Sequence, residues 1–127
     1  MDVNVYRGAG KLQHIIDIGP HRLLTDEPVD IGGEDTGPAP HELLAAALGA
    51  CTALTVTLYA RHKNFDLHDV KVRVEHAQQG DVFVLTRHIE YIGQLDQDQR
   101  ARMTAVANKC PIHKVLSGSI QIVTNAV

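Results

Sequence analysis

"LLAAALGACTALT", Leu43 to Thr55, decides how this chain folds. It lies within 18 uncharged residues, Leu43 to Ala60. That length reaches the lower edge of what crosses a bilayer. The stretch is rich in Ala, Gly and Thr, however, and "RHK" (61–63) follows on one side only. A buried core helix is therefore expected in place of a membrane span. Leu44, Ala47, Cys51, Leu54 and Leu58 recur at steps of three and four, which puts Cys51 on the central stripe of one face. Gly49 costs the helix about 1 kcal/mol relative to alanine. Its presence beside Cys51 predicts that another backbone or a ligand comes close there. Free cysteine is among the most buried residue types, so on Cys51 alone a packing role and a reactive role both stand.

Upstream, "VNVYRGAGK", "HIIDIGPH", "RLLTDEP" and "VDIGGEDTG" alternate short apolar groups with glycine and proline, the pattern of a small antiparallel meander. "GPAPHELL" starts the helix, with Pro40 in the first turn and Glu42 near its positive end. Downstream, "VKVRVEH" (70–76) alternates as a half-buried strand, "QQGD" turns, and "VFVLTRHIEYIG" (82–93) returns, so the pair is a hairpin. "DQDQRARMTAVANKC" (96–110) reads as a second helix capped by Asp96. A short turn, "PIHKVLSG", and a final strand, "SIQIVTNA" (119–126), complete the chain. The expected fold class is α+β, a long central helix packed on antiparallel sheet, with residues 1–127 as a single domain.

Composition narrows the function. The chain is 44% hydrophobic and 21% charged with a formal net charge of −3, and it has no basic run. These values exclude nucleic acid and anionic membrane as expected partners. Residue 2 is acidic and no apolar run follows it, so no export signal is read and a reducing cytoplasm is the expected setting. Any disulfide there would be transient and chemical. The apolar helix offers more surface than a thin sheet on one side can cover, which predicts a homodimer.

The second cysteine differs in kind. Pro111 disfavours helical geometry at Cys110, which places Cys110 at the N-cap of the next turn, where exposed N–H groups favour a thiolate. Cys51 sits mid-helix and needs a nearby cation to gain the same help. "CPIH" with Cys51 would supply three zinc ligands, but structural sites want four at tighter spacing, so no metal is expected. "IGGEDTGPAP" lacks the lysine and strand context of a phosphate loop and reads as a rim of the site.

"PAPHELLAAALGACTA" together with "ANKCPIHKVLSG" resembles the OsmC/Ohr family of osmotically inducible and organic hydroperoxide resistance proteins. The similarity runs from about Arg22 to Ala126 and is that of a divergent OsmC-like branch. It implies an intertwined homodimer and thiol peroxidase chemistry without a cofactor. Cys51 matches the peroxidatic cysteine, which an organic hydroperoxide oxidises to the sulfenic acid. Cys110 matches the resolving cysteine, which closes a disulfide that a dithiol reductant, lipoyl-bearing in characterised members, reopens. The family's glutamate slot holds His41 here, with Glu42 one step later, and Arg22 in "GPHRLL" is the close candidate for its arginine, with Arg7 weaker. Arg22 with Glu42 or His41 is thus expected to tune the Cys51 thiolate. On a regular helix His41 stands about 15 Å of rise from Cys51 and Glu42 points to the far side. Either "GPAPHE" folds back, or the group comes across the dimer. Two rival readings are a non-catalytic member binding an apolar ligand in the dimer crevice, and a redox-sensing dimer.

Overall fold

The computed structural model describes residues 1–127. The protein is α+β, and its chain forms two compact units, Met1–Leu44 and Ala45–Val127.

The first unit is the expected meander. Strands β1 (Val3–Arg7), β2 (His14–Ile18) and β3 (His21–Thr25) pair antiparallel in that order. Gly19 takes a left-handed φ of 56° between β2 and β3, and Ile18 pairs directly with His21 across a two-residue turn. A 3-10 turn at Val29–Ile31 follows. The loop after β3 is organised by one buried carboxylate. Asp26 accepts hydrogen bonds from the Thr36 hydroxyl and from the backbone N–H groups of Glu27, Glu34 and Thr36.

The second unit holds most of a 23-residue helix, α1 (Pro40–His62), which is unbroken from Pro40, so "GPAPHE" does not fold back. A long hairpin follows, β4 (Asp66–Gln79) and β5 (Val82–Gln94), closed by Gly80 and Asp81 in register Gln79 to Val82. A bulge between Leu67 and Asp69 faces Gly93. A side chain there would meet the Asp66 carbonyl at 1.9 Å, and φ is 154°, so only glycine fits. Helix α2 (Gln97–Ala107) starts with a full capping box between Asp96 and Gln99. Helix α3 (Pro111–Ser117) starts at Cys110, whose φ of −62° and ψ of 148° are the extended N-cap geometry imposed by Pro111. The core gathers Val56 and Ala60 of α1 with Met103 and Ala107 of α2, flanked by Ile89 and Tyr91 of β5.

Three expectations are corrected. Helix α1 does not bury the stripe through Leu44, Leu54 and Leu58, which stays exposed. The buried line is Ala45, Leu48, Thr52, Val56 and Ala60, one residue round the helix, because these slimmer residues allow closer approach to the hairpin and α2. Cys51 is half-buried beside that line. Gly49 does not answer to a close backbone. A Cβ there would meet Val74 Cγ2 at 3.5 Å and Val72 Cγ1 at 3.9 Å, ordinary contact distances. The segment 119–127 forms no strand, since its alternating residues find no ladder partner in this chain and lie exposed.

By length and composition α1 could cross a bilayer, and 28% of its most apolar window is buried in this chain, on the side that packs against α2 and β5.

Gly49→Ala should stabilise the protein by about 0.5–1 kcal/mol, read from urea denaturation, because the added methyl fits and the helix gains propensity. The Asp26 carboxyl is held below the ordinary carboxylate range, first by the Thr36 hydroxyl and then by the backbone N–H groups, against the opposing effect of burial. Its contribution is therefore complete above the unfolded value of about 3.9 and is lost as pH falls through the lower folded value. Asp26→Asn should lower the melting temperature at neutral pH and flatten the acid limb of its pH dependence.

Candidate thiol site

Cys51 comes from α1 and Cys110 from the start of α3, and the Cys51 side chain is one of the groups that lower the Cys110 thiol. Cys110 is fully buried, whereas Cys51 is partly accessible. The Cys51 sulfur also lies 3.9 Å from Thr55 Oγ1, one turn on. Cys110 Sγ accepts the His113 backbone N–H at 3.3 Å, the N-cap bond normally made by a serine or aspartate oxygen.

The residue that ties these elements together is Arg87 of β5. Its Nη1 donates to Thr52 Oγ1 at 2.9 Å and to the Ala107 carbonyl at 3.2 Å. Its Nη2 donates to Asn108 Oδ1 at 2.8 Å and to His113 Nδ1 at 3.2 Å. A guanidinium can only donate, so His113 Nδ1 is the accepting nitrogen and carries no proton. One side chain thus pins the middle of α1, the C-terminal end of α2 and the first turn of α3.

Burial pushes the Cys110 thiol up, yet the balance lies below the ordinary thiol value. The His113 N–H, the Cys51 thiol, the Thr52 hydroxyl and the Arg87 charge, in that order, outweigh it. Thr52 is fully buried and its hydroxyl sits 2.7 Å from the Leu48 carbonyl. With a single proton, that hydroxyl serves either the Leu48 carbonyl or the Cys110 sulfur. Arg87 and His113 also line a cleft of about 220 Å³. It is lined by Leu48, Phe83, Leu85 and Leu116 together with the polar Arg87, His113 and Ser117, and by neither cysteine.

The expected tuning residues have other partners. Arg22 pairs with Asp17 through Nε at 2.8 Å and donates to the Tyr6 hydroxyl at 3.1 Å, all within the meander. Arg7 donates to the Gly10 carbonyl. Glu42 Oε1 accepts the Ala39 N–H at 2.9 Å, closing the first turn of α1, and His41 occupies that same turn. Cys51, Cys110 and His113 do not form a group of metal-ligating side chains.

Sequence reading passed over Arg87 and Thr52. The signal for Arg87 was present in "VFVLTRHIEY": Phe83, Leu85, Ile89 and Tyr91 are the inward-facing set of an alternating strand, and Arg87 takes one of its slots.

The OsmC-like protein family model matches residues 33–125. The chain belongs to the OsmC-like family. Solved structures agree in fold. The organic hydroperoxide resistance protein OsmC of Legionella pneumophila is 23% identical with a TM-score of 0.68, covering 93% of this chain and 90% of that one. An OsmC-like protein of Mycoplasma pneumoniae is 19% identical with a TM-score of 0.76, covering 92% and 86%. The organic hydroperoxide resistance protein OhrB of Bacillus subtilis is 20% identical with a TM-score of 0.62, covering 93% and 92%. No curated protein matches the chain.

Thr52→Val keeps the shape of the α1 face but leaves an Arg87 donor without its acceptor. It should cost about 1–3 kcal/mol of stability, measured by urea denaturation, with the fold retained in far-ultraviolet circular dichroism.

Proposed function

We propose that this OsmC-like protein is a thiol peroxidase that reduces organic hydroperoxides, with Cys51 as the attacking and Cys110 as the resolving cysteine. The observation that carries this reading is the Arg87 network, which ties Thr52, next to Cys51 on α1, to His113, whose backbone N–H bonds the Cys110 sulfur in the same chain. The unequal burial of Cys51 and Cys110 supports the division of labour, since only Cys51 is accessible to a substrate.

The chemistry closes in three steps. The Cys51 sulfur attacks the outer oxygen of the hydroperoxide and the O–O bond breaks. The alkoxide leaves and takes up the Cys51 proton as an alcohol, and Cys51 becomes a sulfenic acid. The Cys110 thiolate then attacks the Cys51 sulfur, the S–O bond breaks, and the hydroxide leaves as water after gaining a proton. A dithiol reductant, for which a lipoylated protein is the candidate, supplies two electrons and two protons to restore both thiols. No metal or cofactor takes part in this scheme, and a reducing cytoplasm suits it.

A homodimer is part of the same proposal. Leu54 and Leu58 of α1 are 65% and 64% exposed, and Ile120, Ile122 and Val123 of the C-terminal segment are exposed alongside an unpaired backbone. A second copy would cover this surface, and it is the route by which Arg22, His41 or Glu42 could reach a thiol. Leu54→Glu should shift light scattering at micromolar concentration from dimer to monomer; a monomer before the change would end the proposal.

Cumene hydroperoxide should consume the free thiols of the reduced protein rapidly and stoichiometrically in stopped-flow measurements. In Cys110→Ser a sulfenic-acid probe should label Cys51. Equal labelling of Cys110 in Cys51→Ser would reverse the roles, and a slow loss of thiol would favour the redox-sensing or ligand-binding alternatives.

A further inference from the structure

The cleft in the second unit combines one cation with apolar walls and holds no acid. Leu48, Phe83, Leu85 and Leu116 line it, and its one permanently charged side chain is Arg87. Arg87 donates to a threonine hydroxyl, a peptide carbonyl, an asparagine carbonyl and the unprotonated nitrogen of His113. None of these acceptors carries a negative charge, and the ion pairs of the protein leave Arg87 aside. A partly buried guanidinium is normally matched by a carboxylate, because an uncompensated charge away from water is costly.

Donors remain beyond those four bonds. Arg87 commits both hydrogens of Nη1 and both of Nη2, which leaves Nε–H as the fifth donor of the guanidinium. His113 accepts at Nδ1, so its ring proton is on Nε2. Ser117 gives its one proton to the His113 carbonyl at 2.7 Å and adds no donor. The polar part of the cleft therefore offers one positive charge and two N–H groups, with no carboxylate to repel an anion.

We propose that this cleft binds a small organic carboxylate with a single aliphatic tail. Arg87 and His113 receive the carboxylate, and the tail lies against Leu48, Phe83, Leu85 and Leu116. The single charge of a carboxylate balances the single guanidinium, and planar carboxylates suit guanidinium donors. A phosphate monoester brings nearly two charges, and the apolar walls would strip water from the second without pairing it. The volume of about 220 Å³ is below the roughly 300–1,000 Å³ of sites for drug-sized ligands, which selects a short tail. Neither cysteine lines the cleft, so this site stands apart from the thiol chemistry proposed above. Because Arg87 also holds Thr52 of α1 and Asn108 after α2, an occupied cleft would stabilise the junction of the three helices.

The test uses hexanoate, titrated into the full chain at constant ionic strength and followed by nitrogen–proton correlation NMR and by melting temperature. Hexanoate should bind saturably, shift the amides of Leu85, His113 and Leu116, and raise the melting temperature. Hexanol, which lacks the charge, and acetate, which lacks the tail, should each bind at least about tenfold more weakly. From butanoate to hexanoate, each added methylene should tighten binding about fourfold. Arg87→Gln, which keeps donors for the neutral acceptors but not the charge, should weaken hexanoate about tenfold or more. Arg73→Gln, on the opposite face of the hairpin, should leave it unchanged. If the glutamine variant fails to fold, Leu116→Trp, which fills the cleft and keeps the arginine, should abolish binding. Equal affinity for hexanol and hexanoate, shifts that never saturate and are common to all salts, or no shift at all overturns the proposal. Cys51→Ser should bind hexanoate like the parent, so a protein that is inert to hydroperoxides yet binds hexanoate would sink the peroxidase reading alone.

Discussion

A guanidinium on the inward face of a β-strand has to be satisfied where it stands, and in this protein that requirement organises the second unit. The alternation of β5 turns Arg87 towards the same side as Leu85 and Ile89. From there it reaches the mid-helix Thr52 of α1, the last residues of α2 and the first turn of α3. Four bonds to three helices fix how α3 begins relative to α1, and the separation of the two sulfurs follows from that. Hydrogen bonds to a charged donor are worth about 1.5–3 kcal/mol each, so the geometry of the thiol pair is enforced by the fold itself.

Two constraints of covalent geometry complete the site. Pro111 keeps Cys110 out of helical conformation, which leaves its sulfur in the position of an N-cap oxygen and gives it the His113 N–H. The buried line of α1 runs through Ala45, Leu48 and Thr52, so Cys51 stands at the border between packed and open surface. One thiol is sealed in the packing, and the other stands partly exposed. The family fold alone would place two cysteines near each other; this division of environment is a property of the residues around them.

Much of this was legible in the chain. The period of α1, the alternation of β4 and β5, the Asp96 cap and the Pro111 signal are local rules, and each element formed where its rule applied. Cys110 as an N-cap follows from one proline. The misses are tertiary. Helix α1 is apolar nearly all round, so periodicity could not choose between the stripe through Leu54 and the one through Thr52; the closer packing of smaller residues chose. Gly49 read as a sign of close backbone approach, yet it faces two valines at ordinary distance. The C-terminal segment has strand periodicity without a partner in its own chain, and pairing cannot be read from alternation. Arg87 was overlooked because a charge in a strand is usually on its solvated face, and only register shows that this one is not.

The central claim is that two cysteines far apart in sequence form one redox site within a single chain. The most direct measurement is peptide mapping by mass spectrometry after one equivalent of cumene hydroperoxide, with remaining thiols blocked before digestion. The account predicts one cross-linked product joining the α1 peptide that contains Cys51 to the α3 peptide that contains Cys110, with the intact protein still migrating as one chain under denaturing, non-reducing conditions. Disulfides that join two chains, or cysteines recovered singly as higher oxides, would contradict it.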